Sequence, residues 1–150
     1  MKWKKWLLAA AVIVTVGLVI VCGWVPSYAA AIEANWGISL PWQAKLQEVY
    51  AKDSGPSFTG DGLRYHVFEY EHEAYIDLMF VWSANEHETR HYETVSQAAE
   101  AWLDEIEVPT KARPVYNRCG SWNRIKDGTD EIIFFWDNER NQIYVLESFF

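Results

Sequence analysis

Apolar positions follow three patterns along this chain. From Trp6 to Val25 they form an uncharged run of 20 residues. In two later stretches they recur every three or four residues, the spacing of one helical face. Elsewhere they alternate with polar residues or fill short blocks, as strands do. Trp42, Leu46, Val49 and Tyr50 predict a helix, with Ser39 as its cap, Pro41 in its first turn and Ser54-Gly55-Pro56 as its stop. Val95, Ala98, Ala99, Trp102 and Ile106 predict a second helix, opened by the capping-box pair Thr94 and Gln97 and stopped by Pro109.

Between the helices, Arg64–Tyr70 and Ala74–Trp82 flank the polar Glu71-His72-Glu73 and read as a hairpin. The turn Phe58-Thr59-Gly60-Asp61-Gly62 launches it. A second hairpin closes the chain. Ile132–Trp136 is apolar throughout, Asp137–Asn141 is the turn, and Gln142–Phe150 returns. Ser27–Asn35 reads as a connector of small residues, and 110–130 as loop. The expectation is an α+β domain, with an antiparallel sheet of about four strands and two helices, following an N-terminal transmembrane helix.

The uncharged run decides location. At about 1.5 Å per residue it spans about 30 Å, the thickness of a bilayer's hydrocarbon core. Lys2, Lys4 and Lys5 precede it, and the next basic residue is Lys45. That asymmetry keeps the N-terminus in the cytoplasm and exports the rest. Residues 1–29 are thus expected to be a membrane anchor or signal segment and 30–150 an extracytoplasmic domain at the cell membrane. The alternative is secretion after cleavage near Ala29.

Charge narrows the partners. The chain carries −8, and setting aside the three N-terminal lysines leaves −11 for the remainder. Such a surface repels nucleic acid, so nucleic-acid binding is not expected. It favours solubility, and it suits a basic protein or peptide partner. Of the nine Trp, three belong to the N-terminal segment, which leaves six for the domain and argues for a packed core. Trp42, Trp82, Trp102 and Trp136 fall on patterned faces and are assigned to that core. Trp36 and Trp122 fall in loop-like stretches and are the candidate exposed anchors of a binding surface, with Asp61 a candidate contact for a cationic ligand. Cys119 is either a buried apolar residue or a surface thiol. Cys22 lies in the apolar run and cannot pair with it.

One motif carries chemistry. His87-Glu88-Thr89-Arg90-His91 matches H-E-x-x-H, whose histidines share a helical face and can hold zinc while the Glu acts on a bound water. The stretch looks like the active-site helix of zinc metalloproteases. It departs from that helix in carrying Arg90 between the histidines and Glu86 and Glu93 beside them. A solvated polar connection explains the same letters, so the expected catalytic and metal sets are empty. Glu88 with His87 and His91 form only the alternative, a small zinc-dependent hydrolase.

The segment Lys52-Asp53-Ser54-Gly55-Pro56-Ser57-Phe58-Thr59-Gly60-Asp61-Gly62, with Asp137, Tyr144 and Glu147 of the last hairpin, resembles uncharacterised small membrane-anchored or secreted proteins of Gram-positive bacteria. The resemblance covers two short blocks. It implies an anchored or secreted α+β domain and brings no activity with it. The expectation is therefore a non-enzymatic, extracytoplasmic binding domain. The alternatives are the zinc hydrolase and an immunity or inhibitor module for a basic toxin or enzyme.

Overall fold

A mixed sequence of strands and helices condenses around one antiparallel sheet. The structure is a computed structural model that describes residues 27–55, 61–84 and 89–150. The chain divides into two units, Met1–Leu40 and Pro41–Phe150.

In the first unit, helix α1 spans Tyr28–Trp36. The Ser27 hydroxyl accepts from the Ala30 amide at 3.4 Å, and Gly37 at φ 66° receives the chain at the other end. This stretch was expected to be a connector. Its run of alanines has the highest helix propensity, and a Ser cap with a Gly stop converts it to a helix. The uncharged run Trp6–Val25 lies outside the described residues. Among those residues no helix is long and apolar enough to cross a membrane.

The second unit is α+β, as expected, but richer in strands. Its elements are a 3₁₀ turn at Trp42–Ala44, β1 (Gln47–Asp53), β2 (Gly62–Glu69), α2 (Glu73–Asp77), β3 (Ser83–Ala84), α3 (Thr89–Glu105), a 3₁₀ turn at Thr110–Ala112, β4 (Ser121–Asp127), β5 (Asp130–Asp137) and β6 (Gln142–Phe149). The order across the sheet is β1-β2-β6-β5-β4-β3. Every neighbouring pair is antiparallel, with five full strands and the two-residue β3 at one edge.

The central strands behave as their composition demands. From Glu131 to Asp137 every position of β5 is buried, because both faces of the sheet are covered there. On one face Leu63, Tyr65, Val67, Tyr144, Leu146, Ile133 and Phe135 meet the buried stripe of α3, formed by Tyr92, Val95, Ala99 and Leu103. On the other face Phe80 reaches Phe134 with ring centroids 5.0 Å apart, and Trp82 reaches Trp136 at 5.2 Å.

Four local expectations are corrected. The region 42–53 is a 3₁₀ turn and an edge strand, not a helix. Its apolar residues mimic helical spacing because the pairing of β1 slips between Glu48 and Tyr50, so two consecutive positions break the alternation. The edge strand is mostly exposed and carries Glu48, Lys52 and Asp53, charges that discourage pairing with another sheet. The stretch 74–82 is not a strand. Five residues form α2, and the turn after it swings Phe80 and Trp82 onto the sheet while Leu78 stays 77% exposed. Helix α3 starts at Thr89, so Thr94 is interior to it and does not cap it. Finally, 121–127 is strand β4 rather than loop. Its Arg124 and Lys126 look out of place in a sheet, but both engage the carboxylate of Glu131 on β5, at 2.5 and 3.1 Å.

Candidate functional site

A wide concavity forms where the chain enters the sheet and where it leaves β2. Pro41 sets the backbone for the 3₁₀ turn, in which the Ala44 amide donates to Pro41 O and the Lys45 amide to Trp42 O. Lys45 ends the turn at φ 53°, in a left-handed conformation just after the Ala44 carbonyl. That carbonyl accepts from the Glu71 amide at 2.9 Å and the His72 amide at 3.3 Å. The two loops are therefore tied through one oxygen. Side chains tighten the tie, with Lys45 Nζ 2.6 Å from Glu71 Oε2. Lys45 holds the Glu71 carboxyl below the usual carboxylate range.

The result is a groove of about 670 Å³ lined by Trp42, Gln43, Lys45 and residues 71–75. Trp42 is 82% exposed within it and Tyr75 is 41% exposed. The His72 and Tyr75 rings meet edge to face at 6.4 Å. Glu73, in the first turn of α2, adds a carboxylate beside the rings, while the Glu71 carboxylate is held by Lys45. Flat aromatic surface next to carboxylates can receive a cationic side chain over a ring and neutralise it at the rim.

The candidates named from sequence are scattered. Trp122 is buried at 6%, inside the core between sheet and α3, and is corrected from an exposed anchor to a core residue. Alternation in β4 points it inward beside Tyr92, at a ring distance of 6.3 Å. Trp36 is half-buried at the end of α1, in the first unit. Asp61 is exposed just before β2, so eight strand residues, about 26 Å of extended chain, separate it from the groove at the far end of that strand. Trp42, assigned to the core from its spacing, is the most exposed tryptophan among the described residues. Trp136 is buried as expected, and Trp82 and Trp102 are half-buried.

The H-E-x-x-H stretch is divided. His87 and Glu88 lie outside the described residues, and His91 is an exposed residue near the start of α3. No cluster of three His, Cys, Asp or Glu side chains among the described residues is placed to hold a metal ion. Cys119 is fully buried, and burial followed by the charge of Asp137 pushes its thiol up to about 12. A thiol so protonated is a poor nucleophile at neutral pH.

No family model matches this chain, and neither a curated protein nor a solved structure matches it. The sequence reading missed Trp42, His72 and Tyr75 as site residues. The available signal was a tryptophan placed directly after Pro41 and followed by Gln43 and Lys45, a polar setting unlike a core.

Proposed function

We propose that this chain is a membrane-tethered, non-enzymatic binding domain. In this reading the run Trp6–Val25 anchors it, its N-terminus is cytoplasmic, and the folded unit faces the cell exterior. The unit captures a basic peptide or protein segment in the groove between the 41–45 turn and α2. The observation that carries the reading is Trp42, held 82% exposed over a groove rimmed by Glu73 and the Lys45–Glu71 pair. Tryptophan is among the side chains enriched at the energetic hot spots of interfaces. The net charge of −11 outside the three N-terminal lysines adds long-range attraction for cations.

The test uses the full chain in nonionic detergent, titrated calorimetrically with a short Lys/Trp-rich peptide and with a Glu/Trp-rich peptide of equal length. The basic peptide binds saturably, and more weakly as salt rises. Trp42→Ala weakens it about tenfold, within the range for a truncated aromatic anchor. Equal binding of both peptides, or indifference to Trp42→Ala, would sink the proposal.

A further inference from the structure

We infer a second and chemically opposite site, a pocket for a small organic anion with an apolar body, on the helix-covered face of the sheet. Its floor is a row of three residues on adjacent strands. Tyr144 of β6 pairs with Val67 of β2, and Val67 pairs with Tyr50 of β1. Its wall is the 3₁₀ turn Thr110–Ala112, carried over the sheet between α3 and β4. The pocket, partly open to solvent, has a volume of about 210 Å³. Sites for drug-sized ligands run to about 300–1,000 Å³, so the occupant is smaller than those.

Three cationic side chains line this pocket: Lys111, Arg113 and Arg140. In a unit so acidic, that convergence is not what solubility alone produces. Arg113 is already spent. Its Nη1 sits 2.9 Å from Glu100 Oε2 and 2.6 Å from Asp104 Oδ1, while Nε and Nη2 donate to Val108 O and Leu103 O. Lys111 and Arg140 are different. Among the described residues neither makes an ion pair with a carboxylate.

The neighbouring acids are occupied. Glu100 and Asp104 hold Arg113, Glu69 accepts from the Gln142 side-chain amide at 3.0 Å, and Asp137 accepts from the Arg140 backbone amide at 3.1 Å. Polar groups at the floor are ordered as well. The Tyr144 hydroxyl donates to Gln142 Oε1 at 2.8 Å. Among the described residues, two cations without an ion-pair partner therefore line the same pocket as Val67, Tyr50 and Ala112. An anionic head at Lys111 and Arg140 with an apolar body against Tyr50 and Val67 satisfies both halves. Carboxylates and phosphate monoesters share this chemistry.

The test titrates the full chain in nonionic detergent with phenyl phosphate, benzoate, benzamide and inorganic phosphate, followed by calorimetry and by amide NMR shifts of β1, β2 and β6. Phenyl phosphate or benzoate binds saturably, and the tighter of the two identifies the head group. Lys111→Gln and Arg140→Gln each weaken it about tenfold or more, the usual loss for a charged hydrogen bond. Both side chains are exposed, so the variants fold, which circular dichroism confirms. Lys126→Gln, on a lysine paired with Glu131, leaves binding unchanged. Absence of saturable binding by both aromatic anions overturns the inference, as does binding indifferent to both substitutions. Benzamide binding as tightly as benzoate, or inorganic phosphate as tightly as phenyl phosphate, overturns it too, by removing the need for the charge or for the apolar wall.

Discussion

The Tyr65 hydroxyl donates to the backbone carbonyl of Ala112 at 2.5 Å, joining the middle of β2 to the turn that follows α3. The two residues are far apart in sequence, and the bond fixes how the 110–112 turn crosses the sheet. Burial keeps this phenol protonated across the accessible pH range, so the donor is never lost. Tyr65→Phe removes the donor and leaves the Ala112 carbonyl short of a partner. The expected cost is about 1–3 kcal/mol, read from denaturant midpoints at unchanged slope. A native midpoint would mean that water replaces the phenol without loss.

Arg113 closes the end of α3. Its guanidinium collects two carboxylates of the helix, the carbonyl of Val108 beyond the helix end, and the carbonyl of Leu103, which also accepts from the Val108 amide. The geometry needs a planar fork, which a lysine ammonium lacks. Arg113→Lys should therefore retain the charge yet lose about 1–2 kcal/mol, and Arg113→Ala about 2–4 kcal/mol. Thermal unfolding of both variants reads this directly. If lysine restores full stability, the role of Arg113 is charge alone.

Much of the fold is legible in the residues, and the failures share a physical cause. The terminal hairpin is clear because β5 and β6 are central and apolar, so burial and pattern agree. The helical stripe of α3 is clear because Val95, Ala99 and Trp102 recur at helical spacing, although the stripe also includes the fully buried Leu103 and Ile106 falls just past the helix end. The errors at β1 and β4 fall where the chain is at an edge or where charge is neutralised across strands. The pairing slip in β1 produces a false helical period. Arg124 and Lys126 of β4 read as loop until Glu131 is placed beside them. Trp42 and Trp122 exchange expected roles for the same reason, since a residue's burial follows from its element, and both elements were misread. The groove joins residues 42–45 to 71–75 through the Ala44 carbonyl, a backbone contact that side-chain patterning does not encode.

Cys119 gives a prediction about reactivity. It is fully buried, and its thiol is pushed up to about 12, chiefly by burial. In the native protein at neutral pH, iodoacetamide should leave Cys119 unmodified for hours, while denatured protein reacts within minutes. Peptide mapping by mass spectrometry separates it from Cys22. Cys119→Ala should cost about 1 kcal/mol, as a small apolar truncation. Cys119→Asp should prevent folding, because a carboxylate would be buried near Asp137. Rapid native labelling of Cys119 would contradict the packing described above.

His66 makes the stability pH-dependent in a defined direction. Its Nδ1 lies 2.6 Å from Glu48 Oε1 across the β1–β2 pair, and its side chain is 12% exposed. Burial lowers its pKa below 6.5 and outweighs the opposing pull of Glu48 and Glu147, while Arg64 adds to the lowering. The neutral ring therefore donates from Nδ1 to Glu48. An unfolded chain takes up the proton more readily than the folded one. The contribution of His66 is thus complete above pH 6.5, and stability declines as pH falls through 6.5 toward the folded-state value. His66→Gln keeps a donor near Glu48 and removes the titration, so the difference in melting temperature between variant and wild type should change between about pH 7.5 and about pH 5. The shift should favour the variant at the acid end. An NMR titration of the ring gives the independent reading. A midpoint above 6.5 would show that the Glu48 pair, not burial, governs this histidine.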